Sequence, residues 1–240
     1  MSGRFALGCA GLTAASVLLA GCGGGERPAG AGERPVASAP NADVPEHDAE
    51  RRNDDDNEKR GGWRSIATAA DRTRLREWRT AWTGALAQVP ARDIAAEREL
   101  FDPDRVLDTA MPPAGRYRCR TYKLGARDGA GLHYVAYGWF SCRIAPVAGA
   151  DDALAFVKLG GSQRPAGTLY SGTATRGIFL GSMALGDERR SMRYGSDESR
   201  DMAGLVERIG DRRWRIVLPY PRFESLLDVI ELEPEAVKPD

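Results

Sequence analysis

The chain has 240 residues, and its 34 lysines and arginines balance 34 aspartates and glutamates, so its formal charge is zero. That balance excludes the basic footprint of a nucleic-acid-binding domain. With two histidines and four cysteines it also lacks the clustered ligands of a metal centre, and no motif implies a cofactor.

The first element is a leader. Arg4 precedes an apolar run of about 15 residues that starts at Phe5 and closes on Leu19-Ala20-Gly21-Cys22. A basic start, a short apolar stretch and a small-residue cut describe a secretory signal over residues 1–21, not a membrane-spanning helix. Leu-Ala-Gly-Cys resembles the lipobox of bacterial lipoproteins, in which the cysteine at the cut is lipidated and becomes the first mature residue. The resemblance implies acylation of Cys22 and a membrane partner through that anchor. In Gram-negative lipoproteins an Asp after the cysteine favours the inner membrane. Gly23 therefore implies the periplasmic face of the outer membrane. Two or more acyl chains are enough for stable anchoring. Cys9 lies inside the apolar run and leaves with the signal.

Residues 22–62 carry the anchor and then Gly, Pro, Ala and charge, with almost no large apolar side chain. Such a segment cannot bury enough surface to order itself and reads as a disordered linker. As a random coil it spans about 35 Å. Residues 63–240 hold all five tryptophans and are long enough for one globular core.

In that domain Leu75, Trp78, Trp82, Ala85, Leu86 and Val89 recur at steps of three and four, which predicts an amphipathic helix over 68–89. Thr68 or Asp71 can cap it, and Pro90 ends it. A shorter helical piece is expected over 92–100. From Gly115 onward the pattern is that of strands, predicted near 115–124, 132–144, 152–159, 167–171, 176–184, 202–209, 213–218 and 226–232. About eight sequential antiparallel strands must manage their edges, and closure into a barrel removes them. The expected fold is mainly β, α+β by content. It is an antiparallel up-and-down barrel or a two-sheet sandwich, with the amphipathic helix closing one end.

Cys119 and Cys142 remain after processing. In an oxidising compartment an even pair reads as a disulfide. Both fall on the more apolar side of their strands, but a tight hairpin centred on Asp128-Gly129 does not place them opposite each other. A bulge near Gly138 or a non-adjacent pairing is required. The clearest hairpin is 204–218. A Gly210-Asp211 turn there pairs Leu205 with Ile216 and Ala203 with Leu218, and sets Arg208 against Arg213 outside. Two facing arginines need a carboxylate or a ligand between them, and Glu224 or Asp201 can supply the carboxylate.

Candidate ligand contacts are thus Gln163, Arg164, Asp201, Arg208 and Arg213. Gln163 and Arg164 sit at the expected tip of a Gly160–Pro165 turn, where a barrel-mouth loop suits an anionic group. The mixed-charge stretch 186–201 reads as a solvated connection with room for a partner contact. Glu224, Asp228 and Glu231 have the spacing of acid–base carboxylates, and His133 is the domain's single histidine. No Gly-x-Ser-x-Gly elbow, phosphate loop or dinucleotide fingerprint accompanies them.

The phrases Gly115–Arg120, Lys158–Pro165, Phe179-Leu180-Gly181 and Leu226–Leu232 resemble an uncharacterised family of secreted Gram-negative proteins, catalogued as a domain of unknown function. The likeness covers most of 63–235 and implies an envelope domain without implying an activity. At fold level the chain is similar to small calycin-type barrels and to periplasmic protease-inhibitor lipoproteins. The expected function is binding of a small apolar or anionic ligand, or of an envelope protein. The alternatives are an envelope hydrolase using carboxylates or His133, and a structural lipoprotein.

Overall fold

The computed structural model describes residues 62–129 and 131–236. The leader, Cys22 and the linker as far as residue 61 lie outside the described residues. Among the described residues four short helices come first: α1 (Trp63–Ile66), α2 (Ala69–Arg76), α3 (Trp78–Leu86) and α4 (Ala91–Ile94), followed by one 3-10 turn (Ala95–Glu97). The Thr68 hydroxyl caps α2 by accepting a hydrogen bond from the Asp71 amide at 3.2 Å. The single helix predicted over 68–89 is two helices, because Glu77 (φ −89°, ψ 9°) interrupts it. A straight rod meets a curved wall along one line only. The break lets α2 lie on one part of the wall and α3 on another.

Nine strands follow: β1 (Gly115–Ala126), β2 (Tyr134–Ala136), β3 (Phe140–Val147), β4 (Ala150–Lys158), β5 (Gln163–Tyr170), β6 (Gly177–Leu185), β7 (Asp201–Gly210), β8 (Arg213–Pro219) and β9 (Ser225–Pro234). All pairings are antiparallel. β1 and β3 to β9 pair in sequence, β1 closes on β9, and β2 adds a short ninth strand beside β1. The result is an eight-stranded closed barrel with one extra strand, and the sandwich alternative drops out.

Side-chain alternation along these strands makes two cores. One draws on all eight barrel strands and fills the interior, with Tyr117, Phe156, Phe179, Val206, Trp214 and Ile230 among its members. Tyr117 meets Trp214 edge-on at 6.4 Å, and Phe156 meets Phe179 in the same way at 5.8 Å. The other core lies outside the barrel. Leu75, Trp82 and Ala85 of the helices cover Leu124, Leu205, Val217 and Val229. The helices therefore coat the outer wall of β7, β8, β9 and β1 and do not close an end. Their apolar stripe fits a strand face better than a barrel rim, where backbone and turns are exposed.

Gly167 of β5 and Gly181 of β6 face each other directly. A Cβ on Gly167 would stand 2.4 Å from the Gly181 Cα and 2.8 Å from the Phe179 ring. Gly167→Ala is therefore expected to overpack the wall and lower stability by about 1–3 kcal/mol. A denaturation midpoint equal to the parent's would show that β5 and β6 can move apart freely.

Two expected registers change. The predicted strand 132–144 is split by residues 137–139 into β2 and β3. Leu124 pairs with Tyr134, but Cys119 pairs with Phe140 and Tyr117 with Cys142, a slip of one residue across the break. This slip makes the two cysteines diagonal neighbours on the inner face. They are bonded, with Cα atoms 5.9 Å apart. In the 204–218 hairpin Gly210 pairs with Arg213 and Leu205 with Val217, so the turn is Asp211-Arg212 and a bulge follows Arg208. One residue of slip exchanges the faces of β7. Leu205 and Ala203 point at the helices, Val206 points inward, and Arg208 lies opposite Trp214 instead of Arg213.

The outer wall also holds a buried arginine. Arg215 is fully buried. Its Nε donates to Glu207 Oε2 at 2.8 Å, and its Nη1 donates to the carbonyls of Leu100 and Asp102, each at 2.8 Å. Nη2 donates to the Arg105 carbonyl at 3.1 Å, and the guanidinium stacks on Trp82 at 4.6 Å. One side chain thus ties segment 100–105 to the sheet.

Candidate binding cavity at the barrel mouth

Aromatic side chains and the disulfide fill the barrel towards the start of β1. The opposite end is open. There β4 ends, β5 begins, β8 turns into β9, and residues 137–139 break the first hairpin. A cavity of about 390 Å³ enters the barrel at this mouth. Its apolar lining includes Phe140, Met183, Met202, Leu218 and Ile230. Polar groups enter at two poles.

The first pole is self-paired. The Lys123 ammonium lies 3.3 Å from Asp228 and 3.3 Å from Glu224. The Ser225 hydroxyl donates to Asp228 Oδ1. Burial pushes the Asp228 carboxyl above the usual carboxylate range, against the pull of Lys123 and Ser225. Burial works against the charge of Lys123, but Asp228 and Glu224 outweigh it and hold the ammonium above the ordinary lysine value.

The second pole is Lys158, 5% exposed, at the inward-facing end of β4. Its Nζ donates to the carbonyls of Gly160 at 2.7 Å and Gln163 at 3.0 Å. It sits over the Phe140 ring, 4.0 Å from the centroid. Among the described residues no carboxylate lies within ion-pairing distance of it. Burial brings its pKa down to about 8, and the nearby Arg164 charge adds to the effect. The turn that receives it needs glycine. Gly161 has φ +85°, and a Cβ there would stand 3.0 Å from the Lys158 Nζ.

Of the five candidate ligand contacts, Gln163 lines this cavity. Gln163 and Arg164 already belong to β5 and are not at the turn's tip, so they face opposite sides of the wall. Arg164 points outward and donates to the carbonyls of Gly161, Gly186 and Glu188. Asp201 is buried on the helix side of β7, where its carboxylate accepts from the Gly195 amide at 2.9 Å. Arg208 donates to the Gly210 carbonyl at 3.1 Å. Arg213 is braced by Glu97 and by Glu231, the latter at 2.6 Å from its Nε. Glu231 also takes Arg120 at 2.7 Å. Burial alone would raise the Glu97 carboxyl, but hydrogen bonds from Arg213 and Arg120 hold it below the usual value. Arg213, Glu97, Glu231 and Arg120 form a brace on the outer wall, away from the mouth.

The carboxylates do not meet the histidine. The His133 Nδ1 lies 2.9 Å from Gln88 Oε1, and Glu224 and Asp228 turn to Lys123. Asp228 and Glu231, three apart on β9, project to opposite faces. Among the described residues no three His, Cys, Asp or Glu side chains cluster as a metal site requires. Sequence reasoning missed Lys158, Tyr137, Met183 and Met202. The signal for Lys158 was the inward row Leu154, Phe156, Lys158, which ends in a lysine just before Gly160-Gly161.

These features define a small closed β-barrel with an accessible internal cavity, joined to an outer layer of short helices. The chain belongs to the family described as Domain of unknown function (DUF4893), which it matches over residues 63–232. No curated protein and no solved structure matches it.

Proposed function

We propose that this protein is a small-molecule-binding barrel, held by acylated Cys22 at the periplasmic face of the outer membrane. The cavity of about 390 Å³ carries the binding reading. It falls in the range of about 300–1,000 Å³ typical of small-ligand sites, and it joins an apolar lining to a few placed polar groups. A filled interior would instead have left only the outer surface for recognition. The anchor reading is supported by Leu19-Ala20-Gly21-Cys22 at the end of the apolar run.

Native mass spectrometry of the full chain purified from its own envelope tests the binding reading. The expected result is a folded species carrying added mass from a small molecule, which is lost when Met202→Trp fills the cavity. Only the bare polypeptide mass, with no small molecule raising its melting temperature, would overturn it. For the anchor, Cys22→Ser is expected to abolish incorporation of labelled palmitate and to release the protein from the membrane fraction. Undiminished incorporation in that variant would place the lipid elsewhere or remove the claim.

A further inference from the structure

Resting on the reading of the barrel as a binding module, we infer that the cavity takes a small amphiphile with a single anionic group, which Lys158 receives. The apolar body of the ligand lies against Met183, Met202, Leu218 and Ile230.

The two poles differ in whether their charged groups have partners. Asp228 and Glu224 both lie against the Lys123 ammonium, and Asp228 also accepts from the Ser225 hydroxyl, so the carboxylates of that wall already have donors. Lys158 is as deeply buried as Lys123 but is held by carbonyl oxygens and an aromatic face only. An ammonium has three donors. Among the described residues two of them have acceptors, and the third has none. A buried cation without a counter-charge is unfavourable, and an anion arriving from the cavity offsets that directly. Burial, with the nearby Arg164 charge, brings its pKa down to about 8, and no carboxylate among the described residues is in reach to oppose them. The Gly160-Gly161 turn leaves the approach open, because a side chain at Gly161 would crowd the Nζ. The volume limits the body of the ligand. At ~30 Å³ per water the cavity holds the equivalent of about a dozen waters, which suits a short alkyl or small ring system rather than a long acyl chain.

The test uses the full chain with 13C-labelled methionine methyls. Met183 and Met202 line the cavity, and exposed Met192 serves as an internal control. The probes are octanoate, octyl sulfate, 1-octanol and octylamine. Octanoate and octyl sulfate are expected to shift the Met183 and Met202 methyls and leave Met192 unmoved. Octanol is expected to bind about tenfold more weakly, and octylamine more weakly still. Lys158→Met is expected to weaken octanoate about tenfold or more and to change octanol little.

A pH series on the parent protein gives the same answer without a variant. The groups facing the cavity or its rim are Lys158 of β4, Lys123 of β1, Asp228 of β9, and Glu224 and Tyr137 from the turns; Arg164 of β5 lies behind the wall. Lys158 loses its charge as pH rises through about 8, whereas Lys123 keeps its charge. Octanoate affinity is therefore expected to fall at least about fivefold between about pH 7 and 9.5, with octanol unaffected. Equal binding of octanoate and octanol at Met183 and Met202, indifferent to Lys158→Met and to pH, would overturn the anionic assignment and leave a neutral-ligand barrel. Shifts confined to Met192, or no shift with any probe, would overturn the binding reading itself.

Discussion

Replacing Arg215 with Met is expected to lower the unfolding free energy by about 3–5 kcal/mol, the range for breaking a buried ion pair. Three carbonyls, of Leu100, Asp102 and Arg105, lose their donor at once. Glu207, itself fully buried, loses one of its two arginines. Arg176 remains on Glu207 at 2.7 Å and holds the loss towards the lower end of that range. Urea unfolding measures it. The comparison is Arg118→Met, which removes an exposed pair with Glu233 and is expected to change stability by about 0–1 kcal/mol. Equal effects of the two substitutions would mean that segment 100–105 is held by apolar packing around Trp82 and not by the guanidinium.

Cys119→Ala is expected to remove about 3 kcal/mol under oxidising conditions, from the chain-entropy cost of a loop spanning 23 residues. With the parent protein reduced the difference should almost vanish, since both chains then lack the cross-link. The readout is the pair of denaturation midpoints with and without reductant. A large difference that persists in reductant would assign the loss to packing, because Cys119 is fully buried among the interior side chains.

Much of this architecture was legible because period-two patterns survive burial. The strands from Gly115 to Leu232 and an antiparallel barrel or sandwich follow from alternation and turn residues, and the partnership of Cys119 with Cys142 follows from cysteine count. What was not legible turns on single-residue slips. The bulge after Arg208 moves β7 by one position and sends Leu205 outward and Val206 inward. Both residues are apolar, so hydrophobicity does not choose between the two registers. Glu77 breaks the helix for a tertiary reason, the curvature of the wall it covers, which no local propensity encodes. The outer faces of β7, β8 and β9 are also apolar, and nothing local distinguishes two buried faces. The site follows the same rule. Gln163 and Arg164 are neighbours in the sequence, but adjacent residues in a strand face opposite sides. A lysine at a strand end ordinarily reaches solvent, and nothing local marks Lys158 as an exception. Its burial depends on Phe140, the Gly160 and Gln163 carbonyls and the fold of the turn.

The seam between β1 and β9 has a consequence for biogenesis. It joins residues as far apart in the sequence as Tyr117 and Pro234. Until Ser225–Pro234 is available, β1 and β8 both present unpaired edges, and the interior stays open to water. A chain truncated before that last ribbon is thus expected to be a substrate for degradation or aggregation, however well its earlier hairpins have formed. The final ten residues of the sheet complete its closure against both β1 and β8.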